Sequence, residues 1–218
     1  MRPLPETSPS RLATVLHDAV TDLHRESGAD LASLYLYDAD GRRYYAPFAV
    51  GMPQDSLVGA LKDMREQLAR YLDDLAAGKV PGDLRPQHYG TTVWLTVMRQ
   101  PLVARDATSE VDSTFVRRHQ VQAIIGLPLV AGDRVLGIVF LNYKAAAGKR
   151  RKAKVPDDAG VAVLEGRAAA HAAAIDRALA AAERAALEGL SRMTAVLASP
   201  RGGAADLHRL LSIGLADL

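Results

Sequence analysis

The sequence predicts an α+β domain: a central antiparallel sheet with helices on both sides. Three observations carry that prediction. Two apolar runs, Ala123 to Val130 and Arg134 to Tyr143, flank the turn Ala131, Gly132, Asp133. Short β-branched runs joined by a glycine-containing turn signal a hairpin. Both runs are apolar at nearly every position, so both faces of the hairpin should be covered. A helical run followed by a pair of strands opens the chain, and a long alanine-rich helix follows the hairpin.

The elements follow in order. Residues 1–10, MRPLPETSPS, are proline-rich and polar and read as a flexible lead-in. Leu12 to Ser27 has helical spacing through Leu12, Val15, Leu16, Ala19 and Leu23, with Ser10 placed to cap its start and Gly28 its end. Leu31 to Tyr37 reads as a strand, with Leu31, Ser33, Tyr35 and Tyr37 on one face and Ala32, Leu34 and Leu36 on the other. Asp38 to Gly41 supplies a turn and Tyr44 to Val50 the next strand. Asp55 to Leu75 keeps helical register through Leu57, Leu61, Met64, Leu68, Tyr71, Leu72 and Leu75. Gly78 to Pro86 breaks it. Thr91 to Arg99 is ambiguous, because its β-branched residues favour a strand. Gln100 to His119 reads as a short strand, a polar loop and a brief helix leading into the hairpin.

Pro156 to about Ser199 reads as one helix rich in alanine, the best helix former. Its stripe Val161, Leu164, Ala168, His171, Ile175, Ala178 should cover the sheet. Beyond that stripe the helix outruns a domain of this size, which suggests a parallel coiled-coil-like homodimer. A helix folded back on its own domain is the other reading. Pro200, Gly202 and Gly203 then interrupt the helix, and Ala205 to Leu218 suggests another one. The expected division is a lead-in over 1–10, a domain over 11–182 and a helical extension over 183–218.

Composition narrows the function. The chain has 218 residues, 49% of them hydrophobic, with a net charge of +2. That charge does not call for nucleic acid or an acidic membrane as partner. The basic run Lys149 to Lys154 is too short and isolated to change this. Cysteine is absent, which removes disulfides, cysteine metal sites and cysteine-linked chromophores and fits a cytoplasmic protein. No apolar run reaches the ~18 residues of a membrane helix. Nucleotide-binding, serine-hydrolase, zinc-protease and two-cysteine zinc motifs are all missing, so no enzyme is expected.

The run from Pro101 to Asp106 (PLVARD), Phe115, and Ile124 to Tyr143 (IIGLPLVAGDRVLGIVFLNY) resembles the GAF family of small-molecule sensor domains. The likeness extends over roughly Arg11 to Ala182. It implies a GAF-like, PAS-related antiparallel sheet flanked by helices, with a long C-terminal signalling helix. It favours a short helix at Thr91 to Arg99, capped by Thr91. It also implies a pocket between the sheet and the Asp106 to His119 segment, serving a sensory or regulatory function in a multidomain signalling protein. Leu187 to Leu218 resembles the entry helices of a further GAF domain, which suggests a piece of a longer protein; a short protein with a helical tail is the alternative. The cyclic-nucleotide motif of some members has no counterpart here. The cysteine chemistry of the family's methionine sulfoxide reductases is excluded by composition.

Aromatic residues concentrate in the sheet and the segments implied to form the pocket. Tyrosine pairs apolar area with a hydroxyl that needs a partner when buried, a mix that suits ligand pockets and cores alike. The expected ligand-lining set is Tyr35, Tyr37, Tyr45, Phe48, Trp94, Phe115, His119, Ile124 and Phe140. His88 and His119 flank the implied pocket. Either one is a haem or ligand contact, or both are ordinary loop histidines. His171, on the apolar stripe, is a core or seam histidine or a pH-responsive dimer contact. The sequence names neither the ligand nor a cofactor. A ligand-free dimerisation module and a haem-based gas or redox sensor are the competing functions.

Overall fold

The computed structural model describes residues 11–38, 40, 42–51, 62–111, 113–144 and 154–197. The expected Ser10 cap, Gly41 of the first turn, the first part of the helix expected from Asp55, most of the basic run at Lys149 and the helix expected over Ala205 to Leu218 lie outside them.

Helix α1 spans Arg11–Ser27. Gly28 ends it at φ 62°, a left-handed conformation natural to glycine, and its amide bonds the His24 carbonyl at 3.1 Å. Strands β1 (Leu31–Asp38) and β2 (Arg43–Val50) form the first antiparallel pair, and the short β3 (Lys62–Asp63) lies on the edge beyond β2. Helices α2 (Arg65–Ala76), α3 (Pro86–Tyr89) and α4 (Thr91–Met98) come next. They are followed by β4 (Leu102–Ala104), the short helices α5 (Ala107–Glu110) and α6 (Thr114–His119), and the hairpin β5 (Val121–Ala131) and β6 (Arg134–Lys144). The chain's longest helix, α7, runs Asp158–Leu197. The six strands form one antiparallel sheet in the order β3-β2-β1-β6-β5-β4.

Three expectations need correcting. The helix expected from Asp55 begins only at Arg65, because Lys62 and Asp63 pair with Tyr44 and Arg43 as a strand. An open sheet edge offers hydrogen bonds that side-chain periodicity does not report. Thr91 is the first residue of its helix and not its cap; Gly90 takes that place at φ 91°. The single brief helix expected before the hairpin is two helices, the first capped by Asp106, whose carboxylate accepts from the Thr108 amide at 3.2 Å.

Two compact units are distinguished, Leu16–Ala173 and a second whose described residues are 11–15 of α1 and 174–197 of α7. In the second, Leu187 and Leu190 are 65% and 60% exposed. The first unit holds the sheet. Registers sort its side chains. Leu31, Ser33 and Tyr35 pair with Asn142, Phe140 and Ile138, and these residues share face A. Leu34 pairs with Val139 and Ala32 with Leu141 on face B. Tyr143 also lies on face B, and its hydroxyl donates to the Ser27 carbonyl at the end of α1. That bond places the end of α1 on this face. Arg105, just after β4, bonds the Pro156 carbonyl and the Asp158 carboxylate and fastens the start of α7. Val161, Leu164, Ala168 and Ala172 are the buried positions of α7 in this unit. Both faces are therefore covered, as a doubly apolar hairpin requires.

Candidate functional site

Face A carries the chemistry. Its buried cluster joins Tyr35, Tyr44, Ile124, Ile138 and Phe140 of the sheet to Val93 and Leu95 of α4 and to Tyr71 and Tyr89 of α2 and α3. Tyr35 meets Phe140 edge-on at 6.1 Å, and Tyr37 lies 5.1 Å from Tyr44. Leu95 presses on β5 where Gly126 leaves room: a β-carbon at 126 would stand 2.8 Å from a Leu95 methyl. Helix α4 thus owes its close approach to a missing side chain.

Hydroxyls and amides thread this apolar layer. Tyr44 shares a 2.6 Å hydrogen bond with Thr96, whose hydroxyl also reaches the Thr92 carbonyl at 2.7 Å. Burial pushes the Tyr44 phenol well above its ordinary range, and the Thr96 bond only partly offsets this. Burial likewise raises Tyr35, against a hydrogen bond with Ser33. Both phenols stay neutral donors at physiological pH. Asn142 is 2% exposed, between Leu31 and Ile124 in register, and its Nδ2 has no partner among the described residues.

The residues expected to line a site divide. Tyr35, Ile124 and Phe140 are buried together on face A, with Tyr37, Trp94 and Phe115 partly buried against the same cluster. Trp94 is held there by its indole N–H, which donates to the Leu84 carbonyl at 3.1 Å. His119 stacks against Phe115 on α6 with ring centres 4.4 Å apart. Burial, then the nearby Lys144 and Arg118 charges, lower its pKa and favour the neutral imidazole. Tyr45 and Phe48 lie on the other side of the sheet. Tyr45 pairs with Leu36 and Phe48 with Leu34, both face-B positions, and Tyr45 is 38% exposed. A register shift between Leu34 and Leu36 inverts the expected alternation beyond it.

Two histidines have local duties. His88 Nδ1 accepts from the Arg85 amide at 3.1 Å and closes the first turn of α3. His171 Nε2 sits 2.9 Å from the Asp22 carboxylate of α1, in a contact within the chain. Among the described residues no group of three His, Asp or Glu side chains is placed to hold a metal. Leu95, Thr96, Ser33 and Asn142 belong to the site without having been singled out in the sequence. Gly126 opposite a short apolar helix was the available sign of α4's approach. Strand alternation put Ser33 on the face of Tyr35 and Tyr37, while nothing local marked Asn142.

Comparison with known proteins agrees with this architecture. The sequence model described as the GAF domain matches residues 11–175, most of the chain. No curated protein matches the sequence. Among solved structures, the GAF domain of a phosphoenolpyruvate-protein phosphotransferase from Coxiella burnetii aligns with TM-score 0.56 and 16% identity, over 79% of this chain and 86% of its own. A GAF domain/HD domain protein from Geobacter sulfurreducens gives TM-score 0.51 and 17% identity, over 78% and 95%. The second GAF domain of DevS from Mycobacterium smegmatis gives TM-score 0.52 and 15% identity, over 79% and 97%. At these identities the likeness concerns the fold.

Proposed function

Because this chain belongs to the GAF domain family, we propose that it is a regulatory module of a signalling protein that binds a small molecule on face A and passes the change to α7. One observation carries the reading. The face-A layer is built of aromatic and hydroxyl-bearing side chains and is roofed by short helices, α3 to α6, of four to eight residues. Helices that short have little stability of their own and depend on the packing beneath them. A ligand that rearranged that packing would move them at modest cost. The neutral phenols of Tyr35 and Tyr44 and the Asn142 amide suit an uncharged or weakly polar ligand.

The output would travel through α7, in a cytoplasmic homodimer paired along that helix. Leu187 and Leu190, exposed three residues apart, support a partner there. No catalysis is assigned to the module. Among the described residues no helix is long and apolar enough to cross a membrane.

A second reading is favoured by a specific contact. Leu95 fills the space over Gly126 so closely that face A there is a packed core. On that reading the domain is a ligand-free interaction module. The deciding experiment is an absorbance spectrum of the purified protein, followed by mass spectrometry of what a denaturant releases and a thermal-shift screen of small metabolites. A stoichiometric compound, or a metabolite whose stabilisation is lost in Phe140→Ala, supports the sensor. Its absence in both assays, with an intact dimer, moves the assignment to the interaction module.

A further inference from the structure

Asp18, Asp22 and Glu26 recur every fourth residue on α1 and form one acidic column along the helix. Arg167 and His171 form a basic column of the same spacing on α7. The columns face each other. Arg167 reaches Asp22 at 3.1 Å and Glu26 at 2.8 Å, and His171 reaches Asp22 at 2.9 Å. Rising numbers on α7 meet falling numbers on α1, so the two helices run antiparallel here. Three acids therefore face two bases, and one rung is spare. It is Asp18, whose side chain is 71% exposed and whose contact among the described residues is with His17 of its own helix, 3.8 Å away.

A spare rung at the repeat distance defines a second register. Slide α7 one turn toward the start of α1. Arg167 then lies between Asp22 and Asp18, and His171 faces Asp18. Three cross-helix contacts are made in either register, and Glu26 becomes the spare. The apolar contacts do not repeat so evenly. In the shifted register Leu164 takes the place of Ala168, which is 1% exposed. Forcing the larger side chain into that site, and giving up the Arg105 contacts at the start of α7, keep the observed register ahead.

We propose that the two columns make α1 and α7 a two-position ratchet with a step of about 5.4 Å, one helical turn. The inference rests on the facing columns. Its use in signalling rests on the reading of α7 given above, and the test does not depend on any ligand.

The chain lacks cysteine, so two introduced cysteines can carry spin labels cleanly. His17→Cys and Ala159→Cys are exposed positions on the two helices. Pulsed electron–electron resonance on that background should show one dominant distance. Glu26→Gln weakens only the observed register and should populate a second distance several-fold more, shorter by about 5 Å, one helical turn. Adding Asp18→Asn removes the rung that only the shifted register uses and should return the distribution to the long distance. A single unchanged distance in all three proteins overturns the ratchet and leaves a one-register lock. A shorter distance that persists in the Glu26→Gln, Asp18→Asn protein overturns it too.

Discussion

Gly137 gives the sharpest test of the sheet. It sits on β6 opposite Leu36 of β1, at the centre of the six-stranded order. A β-carbon at 137 would collide with the backbone carbonyl of Tyr35, and a Leu129 methyl stands 3.4 Å away on the other side. The obstacle is the backbone of a central strand, so it cannot swing aside as a flexible side chain would. Relief requires parting β1 from β6 locally. Overpacking of this kind costs about 1–3 kcal/mol, and Gly137→Ala should fall near the upper end of that range. At about 2–4 °C per kcal/mol for a chain of this length, the melting temperature should fall by roughly 6–12 °C. Gly137→Val should lose more. Gly166 is the internal control, since a β-carbon there meets nothing within 4 Å. Gly166→Ala should gain about 0.5–1 kcal/mol, because it removes backbone freedom from the unfolded chain. Scanning calorimetry compares the variants. A Gly137→Ala protein melting within a degree of the unmodified one would refute the close pairing of β1 and β6.

Two predictions concern pH. The Asp22 carboxyl is held below its ordinary value of 3.8, chiefly by its hydrogen bond with His171 and further by Arg167. A depressed carboxyl stabilises the fold above its unfolded pKa and loses that contribution as pH falls through its folded one. Asp22→Asn should therefore melt lower than the unmodified protein at pH 7, and the gap should narrow as pH falls below the ordinary carboxyl value of 3.8; a gap independent of pH would contradict the ion pairing. Burial pushes the Tyr143 phenol up to about 12, so the fold resists an ionisation that the unfolded chain undergoes near pH 10. Stability should fall as pH rises from about 10 to 12, with tyrosinate absorbance appearing together with unfolding, and Tyr143→Phe should lessen that loss. Tyrosinate forming in the folded protein near pH 10, with no further residue titrating on unfolding, would contradict the burial of these phenols.

The sheet was largely legible because its signals are local. The hairpin turn at Gly132 takes φ 61°, and both flanking runs are apolar on both faces. Helix α1 ends at Gly28 for the same conformational reason. What sequence missed depends on partners far along the chain. Lys62 and Asp63 join the sheet through backbone bonds to Arg43 and Tyr44. Neither the apolar spacing of Leu57, Leu61 and Met64 nor any propensity reports that. Phe48 shows the same limit at the candidate site. Strict alternation from Tyr44 would place it on face A, but the irregular pairing between Leu34 and Leu36 places it on face B. Pro47 lies in that stretch and brings no N–H to the ladder, the one local hint of the irregularity. Short aromatic strands therefore yield a list of candidate lining residues, while the bulge decides which of them share a face.

The two faces differ in what they demand of their cover. The buried part of face B is apolar apart from the Tyr143 hydroxyl, so α1 and α7 can meet it with alanine, valine and leucine and keep their charges at the rim. Face A contains Ser33, Tyr35, Tyr44 and Asn142, and all but Asn142 have a hydroxyl with a partner. The Asn142 amide is the exception, since its Nδ2 is buried and unpaired among the described residues. A buried donor without an acceptor costs about 1–3 kcal/mol. A sheet whose sole task was to hold a core would do better with leucine at that place, beside Leu31 and Ile124. Asn142→Leu should accordingly raise the melting temperature of the ligand-free protein by about 2–4 °C, on a gain near 1 kcal/mol. The same variant should lose the stabilisation conferred by any metabolite that presents an acceptor to this amide. If Asn142→Leu melts lower than the unmodified protein, the amide already has a structural partner, and the polar character of face A belongs to the fold and not to a ligand.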